Sequence, residues 1–177
     1  METINNKIIS NEASRTALWF GLISGGFVLL SLPLSATGKT AVNILVNILS
    51  LAKLVGCIWL MRYMMQKLKS SYEGVGKREL VRYGTRIALF SAIITAAVTY
   101  VSYQYLFQGA VTTIFDNMYI SLQQSGLDAN TAELLNILES KYATYSTLGT
   151  LLWCFVYGWI LSRILAPRIA PDSIFED

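Results

Sequence analysis

The sequence predicts an all-α fold: a polytopic membrane bundle of four helices, with the third and fourth helices extended into a projecting outer hairpin. Three observations predict it. Of the 177 residues, 54% are hydrophobic and only 14% are charged, against about 25% charged in a soluble domain, and the mean hydropathy is +0.47. Four apolar runs of roughly membrane length recur along the chain. The lysines and arginines collect in alternate connecting segments. Disorder requires the opposite composition, and a transmembrane barrel would show short alternating segments. Residues 1–177 are expected to form a single integral membrane domain.

The first run is 17–34 (ALWFGLISGGFVLLSLPL), uncharged throughout. The second, 40–61, holds one charge, Lys53. The third, 87–107, is uncharged, and the fourth, 148–165, carries Arg163 near its end. Within hydrocarbon the backbone must satisfy its own hydrogen bonds, so each run is expected to be helical. Ala36-Thr37-Gly38 loosely resembles a signal-peptidase site. The first run nonetheless exceeds the usual signal core and follows a polar stretch, so a retained helix is expected. Met1-Glu2 is not a myristoylation start, and the final residues hold no cysteine to lipidate.

Four spans divide the connecting segments into two sets. One holds Lys7, Arg15, Arg62, Lys67, Lys69, Lys77, Arg78, Arg82, Arg86, Arg163 and Arg168; the other holds Lys39 and Lys141. Basic residues accumulate on the cytoplasmic side, so both termini, the 62–86 loop and the 166–177 tail are expected there. Topology accounts for the basic loop by itself. Arg62, Lys67, Lys69, Lys77, Arg78, Arg82 and Arg86 are also candidate contacts for anionic lipid headgroups. Nucleic acid is not an expected partner, because the membrane already explains where the charge lies.

The outer segment, 109–146, keeps a helical period. Val111, Ile114, Phe115, Met118 and Leu122 share one face, as do Leu134, Leu135, Leu138, Tyr142 and Tyr145. Ser125-Gly126 reads as a helix stop. Asp128 or Asn130 can cap the next helix, and Asn130 with Glu133 has capping-box spacing. Two arrangements fit: a projecting hairpin formed by continuation of the third and fourth helices, or a pair of interfacial helices after a break at Gly109. The matched extensions, each about 24 Å at 1.5 Å per residue, favour the hairpin.

Small residues at four-residue spacing mark close helix approach. Candidate packing positions are Gly21 and Gly25 in the first span, Ala92 and Ala96 in the third, and Thr150, Cys154 and Gly158 in the fourth. Packing within the monomer is favoured, although a membrane-protein partner or a homo-oligomer would use the same faces. Cys57 and Cys154, counted from the ends of their runs, lie at depths about 6 Å apart and are expected to be small packing residues, not a disulfide.

Lys53 costs about 2.5–3.5 kcal/mol near the middle of a span. Helical side chains lean toward the helix N-terminus, here the farther surface. Asn43, Asn47 and Ser50 share its face, and Ser91, Thr95, Thr99, Ser102 and Tyr103 make a comparable stripe on the third span. Facing stripes would form a polar seam, with Lys53 pointing into the bundle toward the third helix. A structural hydrogen bond to Asn47, a tyrosine or a carbonyl is expected first. An anion or headgroup site is the functional alternative.

Enzymatic machinery is sparse. There is no histidine, the commonest general base and metal ligand, and no nucleotide-binding or nucleophile-elbow motif. Asp116, Asp128, Glu133 and Glu139 fall on polar helical faces. No enzyme activity, cofactor or metal is expected. The order of parts resembles a family of small bacterial four-helix inner-membrane proteins classed as a domain of unknown function. The matching features are a basic start, the first span's Gly21-Leu22-Ile23-Ser24-Gly25-Gly26, a short outer turn, a basic inner loop and a long outer segment. The resemblance implies a bacterial inner membrane and transfers no functional residue. The expected role is a non-enzymatic membrane accessory or scaffold protein. The alternative is a small transporter or channel subunit using the seam around Lys53.

Overall fold

The computed structural model describes residues 2–35, 37, 39–124 and 129–170. The signals placed on Ser125, Gly126 and Asp128, two positions of the 36–38 turn and most of the 166–177 tail lie outside the described residues.

Among the described residues five α-helices run in order: α1 (Asn6–Ser35), α2 (Thr40–Ser71), α3 (Lys77–Val101), α4 (Gln108–Gln124) and α5 (Ala129–Ile169). A π-helical turn, Ser102–Leu106, separates α3 from α4. Four helices are long and apolar enough to cross a membrane: α1, α2, α3 with its π-turn, and α5. Each is longer than its apolar run. The reason is that helix propensity and tertiary contact continue past the last apolar residue: α2 adds Met65 and Leu68, and α3 begins early with Leu80 and Tyr83, all buried.

α3 lies at the centre, packed chiefly against α1 and α5. Its alanines make this possible. Ala88, Ala92 and Ala96 are 0–3% exposed, so the neighbouring backbones come close. A Cβ at Gly158 would sit 2.6 Å from Ala88 Cβ, and one at Gly21 would sit 2.6 Å from Ile94 Cγ2. Gly25 meets Val98 in the same way. The small residues of α1, α3 and α5 therefore serve packing within the monomer. Thr150 and Cys154 are half-buried on the same α5 stripe. A further close approach, at Gly84 against Ser162, Met65 and Met61, extends the same four-residue stripes, since Gly84 precedes Ala88 by four and Ser162 follows Gly158 by four.

α2 is peripheral. Of its most apolar stretch only 6% of residues are buried, against 39% for α3. The main core gathers at the end where α2 finishes and α3 begins. Ile9, Ala13, Met65, Leu80 and Tyr83 are almost fully enclosed there, and Thr16 and Tyr83 share a buried 2.8 Å hydrogen bond. A two-residue parallel pairing, β1 (Glu2–Thr3) with β2 (Tyr72–Glu73), ties the start of the chain to the loop after α2. The all-α expectation missed it, since two residues carry no period. Gly74, at φ +75°, makes the turn that follows.

The third helix does not run unbroken into the outer segment. Phe107, at φ −131° and ψ 37°, ends the π-turn, and α4 starts anew at Gln108, one residue before Gly109, where the less favoured arrangement placed a break. The fourth does continue, as the single helix α5. Asn130 lies inside its first turn, not at a cap. α4 packs on the first half of α5 through a small separate core of Val111, Phe115 and Leu135, joined by Tyr103, Leu122 and Tyr142. The two apolar stripes thus cover part of each other.

A candidate binding cavity around Lys53

Lys53 is the only charge carried by the four apolar runs apart from Arg163 at an end. Its side chain is half-buried. It points inward, with Nζ 4.3 Å from the centroid of the Phe27 ring on α1. The ring's electron-rich face attracts a cation, by about 2 kcal/mol where water is excluded. Among the described residues Lys53 has no carboxylate partner and no hydrogen bond. The expected bond to Asn47, a tyrosine or a carbonyl is therefore replaced by an aromatic face. Phe20, Ser24 and Phe27 lie at helical spacing on α1, and that spacing is the signal that could have been read.

Lys53 lines a cavity of about 160 Å³ between α1, α2, α3 and α5. Ser50 and Cys57 contribute from α2, Ser91 and Thr95 from α3, Cys154 and Tyr157 from α5. The hydroxyl of Tyr157 is buried without a partner among the described residues. Ser91 and Thr95 are already satisfied: Ser91 donates to the Ala88 carbonyl at 3.2 Å and Thr95 to the Ser91 carbonyl at 2.8 Å. Cys57 and Cys154 are free thiols, both within electrostatic reach of Lys53. As expected, they form no disulfide.

The seam is shorter than its sequence stripes. Asn43 and Asn47 are exposed, while Ser50 and Lys53 reach the cavity. On α3, Thr99 and Ser102 are buried, but their hydroxyls donate to the Thr95 and Val98 carbonyls at 2.8 and 2.7 Å. A hydroxyl that bonds its own helix needs no partner across an interface. The N-terminal half of α2 is accordingly largely exposed.

The basic loop divides into two uses. Lys69 donates to the Ile169 carbonyl and Arg86 to the Asn6 carbonyl, each at 2.7 Å, and both fasten chain ends to the bundle. Lys77, Arg78 and Arg82 border an open groove with Arg163 and Glu79. Arg62 is exposed, and Lys67 edges a cleft with Glu12 and Arg15. Among the described residues no group of three or more Cys, Asp or Glu is placed to hold a metal ion.

Comparison with protein-family models, with curated proteins and with solved structures finds no match.

Proposed function

We propose that this chain is a non-enzymatic integral membrane accessory or scaffold protein, with four spanning helices and both termini cytoplasmic, that offers α2 to a partner helix. The observation that carries the proposal is the state of α2 between Thr40 and Trp59. Ile44, Ile48, Leu51, Val55 and Trp59 are 56–68% exposed, and Asn43 and Asn47 are exposed beside them. An asparagine amide facing acyl chains is costly and is relieved by a hydrogen bond across a helix interface. A membrane-protein partner or a second copy of the chain would supply it.

Several features support the membrane setting. Exposed large apolar residues cover all four long helices, far more than a soluble monomer tolerates. Exposed Trp19, Trp59 and Tyr63 lie toward the basic end, and Tyr100, Tyr105 and Tyr145 toward the other, as aromatic belts do. α5 is 41 residues long, about 62 Å at 1.5 Å per residue, twice the thickness of the hydrocarbon core. Its first half therefore extends beyond the outer surface, and α4 packed on it makes the projecting hairpin. The layout resembling small bacterial inner-membrane proteins fits the same setting, and the groove bordered by Lys77, Arg78, Arg82 and Arg163 suits anionic headgroups. The alternative of a transporter or channel subunit needs a polar path past Lys53. The exposed positions of Asn43 and Asn47 leave that path without its outer half, which weighs for the accessory role.

A photo-crosslinking residue at Leu51 tests the role in native membranes, with one at Leu152 as control. A discrete protein adduct from Leu51 alone, lost in the Asn43→Leu/Asn47→Leu variant, is expected. Lipid adducts only, from both positions, would overturn it.

A further inference from the structure

Lys53 and Tyr157 present polar hydrogens that the described residues do not use. The Lys53 ammonium has only the Phe27 ring face, and no Asp or Glu occurs in the four apolar runs. The Tyr157 hydroxyl is buried without a partner. Both line the same cavity, and the hydroxyls of Ser91 and Thr95 beside them are already spent on backbone carbonyls. The site is therefore rich in donors and carries one uncompensated positive charge. A buried charge is costly unless paired, so the complementary occupant is an anionic oxygen group.

Size and access narrow the class. About 160 Å³ is the space of about five waters at about 30 Å³ each, enough for a carboxylate and a few methylenes. Leu54 and Trp153, on the rim, are 39% and 72% exposed, and α2 packs only lightly on the bundle. The cavity therefore opens sideways between α2 and α5, onto the surface that acyl chains would cover. We infer that it binds a single-chain carboxylate amphiphile of the fatty-acid class, drawn laterally from the bilayer. The carboxylate sits against Lys53 and Tyr157, and the chain leaves between Leu54 and Trp153. A two-chain phospholipid would have to bring its glycerol and second chain through the same gap, and a small aqueous anion leaves the apolar lining unmatched. The inference rests on the membrane-spanning proposal above.

The test uses the full chain in nanodiscs, with Trp19, Trp59 and Trp159 changed to Phe so that Trp153 reports alone. The probe is a long-chain fatty acid brominated near its head, with the matching brominated alcohol and inorganic phosphate as the other arms. Saturable quenching by the acid is expected, with the alcohol weaker by about tenfold and phosphate unable to compete. Lys53→Met should weaken the acid by about tenfold and Tyr157→Phe by about threefold, as losses of a charged and a neutral hydrogen bond imply, with thermal unfolding unchanged. Lys53→Gln replaces Lys53→Met if the latter does not fold, and Tyr157→Phe carries the test if neither does. Acid and alcohol quenching alike, or unchanged acid binding in a folded Lys53 variant, would overturn the site. Competition by phosphate would overturn its lipid source. Alkaline carbonate extraction of the same cells separates the two levels: release of the protein sinks the membrane proposal itself, whereas retention with failed binding sinks only the site.

Discussion

At the residue scale, glycines and alanines decide how closely α3 can be approached, and they do not carry equal weight. A Cβ added at Gly158 would stand 2.6 Å from the Cβ of Ala88 and 3.3 Å from its Cα, so relief would need the backbones to part. A Cβ added at Gly21 would stand 2.6 Å from Ile94 Cγ2 and 2.8 Å from its Cβ, and a β-branched side chain stiff at χ1 gives little room. A methyl group added at Gly26 would meet nothing within 4 Å. Gly158→Ala should therefore destabilise the bundle by about 1–3 kcal/mol, the cost of overpacking. Gly26→Ala should be neutral or slightly stabilising, since alanine favours helix by about 1 kcal/mol. Thermal unfolding in detergent, read by near-ultraviolet circular dichroism, distinguishes them, and equal losses would contradict the packing described. The four-residue repeat exposed Gly21, Gly25 and Gly158 in advance. It also ran through Gly84, four residues before Ala88 on the α3 stripe, although the uncharged run at 87–107 began after it.

At the scale of elements, the molecule has two cores of unequal size. The larger encloses Ile9, Ala13, Met65, Leu80 and Tyr83. The smaller holds α4 to α5 through Val111, Phe115 and Leu135, with Phe115 and Tyr142 edge-to-face at 5.3 Å between centroids. Helix α4 also begins at a π-turn, where the continuous hydrogen-bond ladder of α3 has ended. Its stability is therefore local. Phe115→Ala should cost about 3 kcal/mol at that site and release α4 while leaving the main bundle intact. Hydrogen exchange should accelerate across Val111–Leu122 and stay unchanged across Leu80–Ala96. Protection lost in both regions would show one cooperative unit instead of two. The helical period on both sides of the turn was legible in the sequence. The break at Phe107 was not, because Phe107 sits within an apolar run that has no proline.

For the whole molecule, the proposed orientation rests on where charge can lie. Eleven of the fourteen basic residues fall in segments that the four proposed spans would place on one side. With Cys57 and Cys154 changed to Ala, Ser71→Cys and Ser140→Cys, both at exposed positions, should label from opposite faces of sealed vesicles. Labelling of both from one face would reverse the topology. Gly74 is a poor reporter site, since its φ of +75° disfavours any side chain.

The class of fold, the four long apolar helices and the faces on which their small residues lie were decided by the sequence alone. Those properties depend on composition and on a period of 3.6, and both are local. The order of packing needed the tertiary structure. The Ala88-Ala92-Ala96 stripe marks α3 for close approach, but which helices meet it, and that α2 stays at the edge, is not written in any one run. The same holds for the cavity. Lys53 announced itself as a lone charge, but Phe27, Tyr157 and Cys154 reach it from two other helices. Asn43 and Asn47, on its own face, are left outside, because Thr95, Thr99 and Ser102 satisfy their hydroxyls within α3 and draw no partner across.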